Sequence, residues 1–160
     1  MKSVYIETSI ISYLTARPSR DLLVAANQES THDWWDGHKG KFDLYISPLV
    51  LDEAGQGDAD AAERRLKALE AFTMVEVVDE ARELAEALLL AAALPSKAQD
   101  DAAHIALAAV HHLDYLLTWN CRHINNAEKK ALIREVCTKL GYVCPEICTP
   151  TELMGGADDE

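Results

Sequence analysis

An α/β domain, with helices on both faces of a mainly parallel sheet of about four or five strands, is the fold class this sequence predicts. Three observations carry the prediction. Short β-branched and aromatic runs alternate with longer helical stretches from one end of the chain to the other. Proline, glycine and capping residues punctuate the junctions between them. At 160 residues and 49% apolar content, the chain is long enough to bury one core without disulfides or a structural metal.

The elements follow in order. "SVYI" (Ser3–Ile6) is the first strand, and "TSIISYLTARP" a helix with Ser9 as its N-cap and Pro18 as its stop. A second helix spans Ser19 to Gly37, with Ser19 as the cap and Asp21 at its positive end. "FDLYIS" (Phe42–Ser47) is the second strand. Pro48, at a first helical position, opens a short helix that "GQGD" closes. Asp58 to Ala71 is amphipathic, with Ala62, Leu66, Leu69 and Phe72 on one face. "MVEVV" (Met74–Val78) is the third strand. Asp79 caps a helix to Leu94 that Pro95 ends, and Ala98 to His112 is another helix. "YLLTW" (Tyr115–Trp119) is the fourth strand, followed by the "NCRHINN" turn and a helix over Ala127 to Leu140. A short strand "EICT" and a last turn in "TPTELMGG" complete a single domain over residues 1–154, and the acidic tail 155–160 is expected to be disordered.

Composition narrows the function. A formal net charge of -12 repels nucleic acid and membranes at long range. A nucleic-acid enzyme of this charge needs metal ions and local basic patches; the alternative is that the acidity serves a basic protein partner. No apolar run reaches the roughly 18 residues of a membrane span, and Glu7 interrupts any signal-peptide pattern, so a cytoplasmic location is expected. Cys121, Cys137, Cys144 and Cys148 form no CxxC pair, so reduced and mostly buried thiols are expected rather than a zinc site.

In parallel sheets, chemistry gathers at the carboxyl ends of the strands. Glu7 ends the first strand, and Glu53 lies six residues past Ser47 in "SPLVLDEAGQG". Asp100 and Asp101 open the helix that leads into the fourth strand, whose end carries Thr118 and Asn120. Asp101 shares a helical face with Ile105 and Ala108 and is expected to point into the cleft. Asp100, His104 and His111 fall on a face expected to look toward solvent. Two carboxylates about 4 Å apart repel by roughly 4 kcal/mol at an effective dielectric of ~20, so a gathered set calls for a cation or a trapped proton. Magnesium and manganese prefer such oxygen ligands, and sites of this kind generate hydroxide near neutral pH and neutralise charge on a cleaved phosphodiester. A bland alternative stays open: an N-cap aspartate, a solvated glutamate, and one buried carboxylate satisfied by the amides of Ser9 and Ile10.

"VYIETSIISYL", "SPLVLDE" and "DDAAHIALAAVHHLDYLLTWNCRHINN", in that order, resemble PIN-domain proteins of the VapC-like toxin type, over residues 4 to 153. The resemblance implies a three-layer α/β/α domain and a Mg²⁺- or Mn²⁺-dependent ribonuclease that hydrolyses RNA through a metal-activated water. It also implies a small antitoxin partner and a homodimer. By motif position Glu7, Glu53 and Asp101 would be the metal ligands, with Asn120 as the fourth catalytic position. Glu7 departs from the family's usual aspartate, and its extra methylene alters metal geometry. Ser9 or Thr8 would steady the Glu7 loop or contact phosphate. Thr118 beside the acidic residues, and Arg122 and His123 in the following turn, are the other candidates for holding the RNA backbone. Histidine 104 reads more simply as a packing or capping residue, and Trp119 as a structural residue of a buried strand. Two further readings remain: a PIN-like module without catalysis whose acidic surface binds a basic protein, and a DNA nuclease.

Overall fold

β1, Lys2–Ile6, lies at the centre of the sheet with Val4, Tyr5 and Ile6 fully buried, because helices cover it on two sides and its neighbours on the other two. In the computed structural model, which describes residues 1–155, five strands are all parallel. They are β1, β2 (Phe42–Ile46), β3 (Thr73–Met74), β4 (Tyr115–Leu117) and β5 (Glu146–Cys148), in the spatial order β3-β2-β1-β4-β5. The order reverses at β1, which pairs with β2 on one side (Val4 opposite Leu44) and β4 on the other (Val4 opposite Tyr115). The carboxyl ends of β1, β2 and β4 therefore reach one edge together, with a crevice at the switch point.

Eight helices surround the sheet among the described residues. One set comprises α1 (Thr8–Thr15), α2 (Leu22–Gly37), α3 (Pro48–Ala54), α4 (Ala59–Ala68) and α8 (Pro150–Met154), linked by mutual contacts. The other set is α5 (Asp79–Leu90), α6 (Gln99–Val110) and α7 (Lys130–Lys139), with α5 packed along α6. The core joins β1 to Ile10, Ile11, Leu84, Leu88, Ile105, Leu107 and Leu116, all but fully buried. Each such side chain contributes roughly 1.5–3 kcal/mol on burial. Alanines at 102, 106, 108 and 109, all fully buried, bring α6 in close.

Several boundaries differ from the sequence expectation. The α1 cap is Glu7, and α2 is capped by Asp21, whose own N–H bonds Ser19 Oγ. Asp79 is the first residue of α5 rather than its cap. The third strand keeps only two residues, since Val75 makes one last bond to Ile46 and the chain then leaves the sheet edge. The fourth ends at Leu117, two residues before Trp119. α5 stops before Pro95: Ala92 takes φ 58°, and its N–H and that of Ala93 bond back to Leu89 and Leu88. His112, also at φ 58°, closes α6 the same way on Ala109 and Ala108. Gly155 is in a turn, and residues 156–160 of the expected acidic tail lie outside the described residues.

Candidate active site

Glu7 follows β1 directly and caps α1. Its Oε2 accepts from the Ser9 N–H at 3.1 Å, and its Oε1 accepts from the Ser9 hydroxyl and, at 2.6 Å, from the Thr118 hydroxyl. Ser9 Oγ in turn accepts from the Trp119 N–H at 2.8 Å, and Thr118 Oγ1 accepts from the Asn120 N–H at 2.8 Å. The carboxylate is thus the clasp between the ends of β1 and β4, and only 5% of the residue is exposed. Amide satisfaction is real at Ser9, but the Ile10 N–H bonds the Glu7 main-chain carbonyl instead.

Glu53 rides on α3, whose start is fixed by the Ser47 cap and Pro48. Its Oε1 accepts from Thr8 Oγ1 at 2.6 Å and faces His104 Nε2 at 2.6 Å. His104 is fully buried, contrary to the solvent-facing placement expected from helical phase. The reason is that α6 is wedged between sheet and α5, so from His104 to Ala109 every residue is buried and phase alone no longer sorts inside from outside. The remaining ring nitrogen, Nδ1, lies 2.7 Å from Tyr5 Oη, which lies 2.7 Å from Ser47 Oγ. His111, from the same face, reaches the Glu76 carbonyl at 2.7 Å.

Electrostatics follow from these contacts. Burial alone would raise the Glu53 carboxyl, but the hydrogen bond and charge of His104, with the Thr8 hydroxyl, outweigh it and hold the carboxyl below its ordinary value. Burial alone would lower His104. The hydrogen bond to Glu53 and the charges of Glu7, Glu53 and Asp101 reverse that and hold the imidazole above its ordinary value. Burial pushes the Tyr5 phenol far up, so it stays protonated.

Asp101 opens α6 and is partly buried, its Oδ2 lying 2.8 Å from His123 Nδ1. It shares a cavity of about 330 Å³ with Glu53, Lys97, Gln99 and Asp100. Asn120 Oδ1 accepts from the His123 N–H at 3.0 Å, which folds the turn so that the imidazole meets Asp101. His123 therefore engages a carboxylate, while the Arg122 side chain is exposed and makes no ion pair among the described residues. Trp119 is half-buried, stacked on Tyr13 at 5.7 Å between ring centroids, with its Nε1 bonded to Thr31 at 2.7 Å. Sequence reasoning missed His104 and Thr8 as partners of Glu53. The only signal for Thr8 was its adjacency to Glu7.

Ligating atoms of Glu7, Glu53 and His104 lie within 4.8 Å of one another. At that spacing two carboxylates repel by roughly 3 kcal/mol at an effective dielectric of ~20. Among the described residues, Glu53 Oε2 and Asp101 Oδ1 accept no hydrogen bond. The cluster whose ligating atoms meet is thus two carboxylates and one imidazole, and Asp101 stands outside it with Oδ2 on His123. The carboxylate oxygens on offer are of the kind a hard divalent ion prefers.

The family profile described as PIN domain matches residues 4–129. The chain belongs to the PIN-domain family. PIN domains are generally nucleases, and they usually use divalent metals. Among solved structures, this PIN domain is similar to a chain of VapBC2 from Rickettsia felis, bound to a DNA fragment from their promoter. The TM-score is 0.58 at 12% identity, covering 91% of this chain and 97% of that one, a likeness of fold. No curated protein sequence matches this PIN domain. No helix among the described residues is long and apolar enough to cross a membrane.

Proposed function

We propose that this PIN domain is a divalent-metal-dependent endoribonuclease that hydrolyses RNA phosphodiester bonds, and that it is the toxin of a toxin–antitoxin pair. The observation that carries the reading is the meeting of carboxylates from distant segments: Glu7 and Glu53 in one cluster, and Asp101 in the cavity that Glu53 also lines. Glu7, Glu53 and Asp101 would hold Mg²⁺ or Mn²⁺. Such an ion supplies a water of lowered pKa and neutralises charge on the phosphate under attack. The chain's own groups do the rest. Ser9 and Thr118 fix Glu7, His123 orients Asp101, and Asn120, through its uncommitted amide N–H groups, donates to a phosphate or a water. Arg122 offers the RNA backbone a cation at the turn that Asn120 organises, in an otherwise anionic protein.

The toxin role rests on the fold shared with a VapBC2 chain, and it carries with it a small antitoxin partner and a homodimer. A second reading has one observation in its favour. Glu7 is nearly closed off and its Oε1 already accepts from two hydroxyls, which suits a catalytically weak module whose acidic surface binds a basic protein.

Cleavage of single-stranded RNA in Mn²⁺ separates the two. Wild-type protein should cut, and Asp101→Asn should lose cutting while keeping its unfolding transition. Undiminished cutting by that variant, or by wild type in excess EDTA, refutes the metal-dependent reading. Absence of both cutting and Mn²⁺ binding heat would favour the binding module.

A further inference from the structure

We infer that His104 is a positioning residue, not a metal ligand: it anchors Glu53 to a buried hydroxyl chain from Tyr5 and Ser47 and so fixes where Glu53 presents its other carboxylate oxygen. The inference rests on the proposed metal site and deepens it.

The geometry leaves the imidazole no lone pair for an ion. Nε2 faces Glu53 Oε1 at 2.6 Å, and a carboxylate oxygen only accepts, so Nε2 carries a proton. Nδ1 is committed to Tyr5 Oη at 2.7 Å, and Tyr5 Oη to Ser47 Oγ at 2.7 Å. With a neutral imidazole the chain runs from the Ser47 O–H to Tyr5, the Tyr5 O–H to His104 Nδ1 and the His104 Nε2–H to Glu53. With an imidazolium the first two bonds reverse, and in neither form does a ring nitrogen keep a free lone pair. Ser47 is itself fixed as the α3 cap, accepting from the Val50 N–H at 3.4 Å. The chain therefore starts at the first residue before α3 and returns to Glu53 on the same helix, passing through β1 and α6. Ring orientation is locked as well, since Tyr5 and His104 meet edge to face at 5.6 Å. All three supporting residues are essentially fully buried, so water cannot replace any link. Thr8 holds the same Glu53 oxygen from the α1 side at 2.6 Å. With Oε1 gripped by two donors, Oε2 is the oxygen left to an ion, in the manner by which hydrogen-bonded partners orient ligating groups.

Calorimetric titration of the full chain with Mn²⁺ tests this, using wild type, His104→Leu, Glu53→Gln and the double variant, with thermal unfolding recorded for each. His104→Leu should weaken Mn²⁺ binding by about 10- to 100-fold, the usual effect of losing an orienting partner. In the Glu53→Gln background the same change should cost nothing further, because its effect passes through Glu53. His104→Gln, whose amide nitrogen can stand where Nε2 stood, should recover most of the affinity. Losses that multiply in the double variant would make His104 a ligand, and unchanged affinity in His104→Leu would make it core packing; either overturns the proposal. If His104→Leu does not fold, Tyr5→Phe replaces it. It should weaken binding severalfold in the wild-type background and not at all beside Glu53→Gln, and equal effects in the two backgrounds overturn the proposal. Wild type that takes up no Mn²⁺ overturns the metal site itself, an outcome distinct from the other results.

Discussion

Replacing Thr118 by valine keeps nearly the same volume and deletes one hydroxyl at the seam between β1 and β4. The hydroxyl is fully buried, donates to Glu7 Oε1 at 2.6 Å and accepts from the Asn120 N–H at 2.8 Å. Losing a hydrogen bond to a charged group costs about 1.5–3 kcal/mol, and stranding a partly buried N–H adds about 1 kcal/mol at the low end of its range. The expected destabilisation is thus about 3 kcal/mol, a fall in Tm of about 6–12 °C for a chain of this size. Thr118→Ser keeps the hydroxyl and should stay within about 1 kcal/mol of wild type. Urea unfolding followed by tryptophan fluorescence and by circular dichroism gives the free energies. A valine variant within 1 kcal/mol of wild type would refute the claim that Glu7 clasps the two strand ends.

A hundredfold excess of Mn²⁺ over its dissociation constant should stabilise the fold by about 2.7 kcal/mol. That is a rise in Tm of about 5–11 °C, reversed by EDTA; a flat Tm rules out the site. In metal-free protein, Glu53 sits below its ordinary pKa, so its contribution is present above the ordinary carboxylate value and fades as pH falls through the folded value. His104 sits above its ordinary pKa, so its contribution is full below about 6.5 and fades as pH rises through the folded value. The pair therefore stabilises most between the two. A Tm-against-pH profile should lose both flanks in Glu53→Gln; identical profiles would contradict the pairing. His112→Gly should stabilise by about 1 kcal/mol in urea, because the residue holds φ 58° at the end of α6 with its side chain exposed. A destabilised glycine variant would show that the helix end does not carry that strain.

Much of this architecture was legible in the residues. Strand and helix alternation gave the parallel α/β class, and "VYIETS", "SPLVLDE" and "DDAAHIA…LLTWN" marked the end of β1 with Glu7, the short helix with Glu53, the start of α6 with Asp101 and the turn after β4 with Asn120. Boundaries were less legible where the chain's stop signals compete. Pro95 looked like the end of α5, yet the helix had already closed on Ala92, a residue that no propensity marks for a left-handed turn. His104 illustrates a different limit. Helical phase predicts one buried stripe, but from His104 to Ala109 α6 is covered all round, and that stretch has no outward face to predict.

Sequence by itself determined the chemistry on offer: an acidic chain, 27 Asp and Glu against 15 Lys and Arg, with carboxylates following strands or opening a helix and hydroxyls beside Glu7. It could do so because local backbone preference and periodicity are encoded within a few neighbouring residues. Which oxygen faces which donor was decided only by tertiary structure. Thr8 reaching Glu53, Thr118 reaching Glu7, and His104 joining Tyr5 to Glu53 span 45, 111 and 51 to 99 positions of chain. Such contacts exist because the sheet order places β1 between β2 and β4, and no local window of residues contains that order.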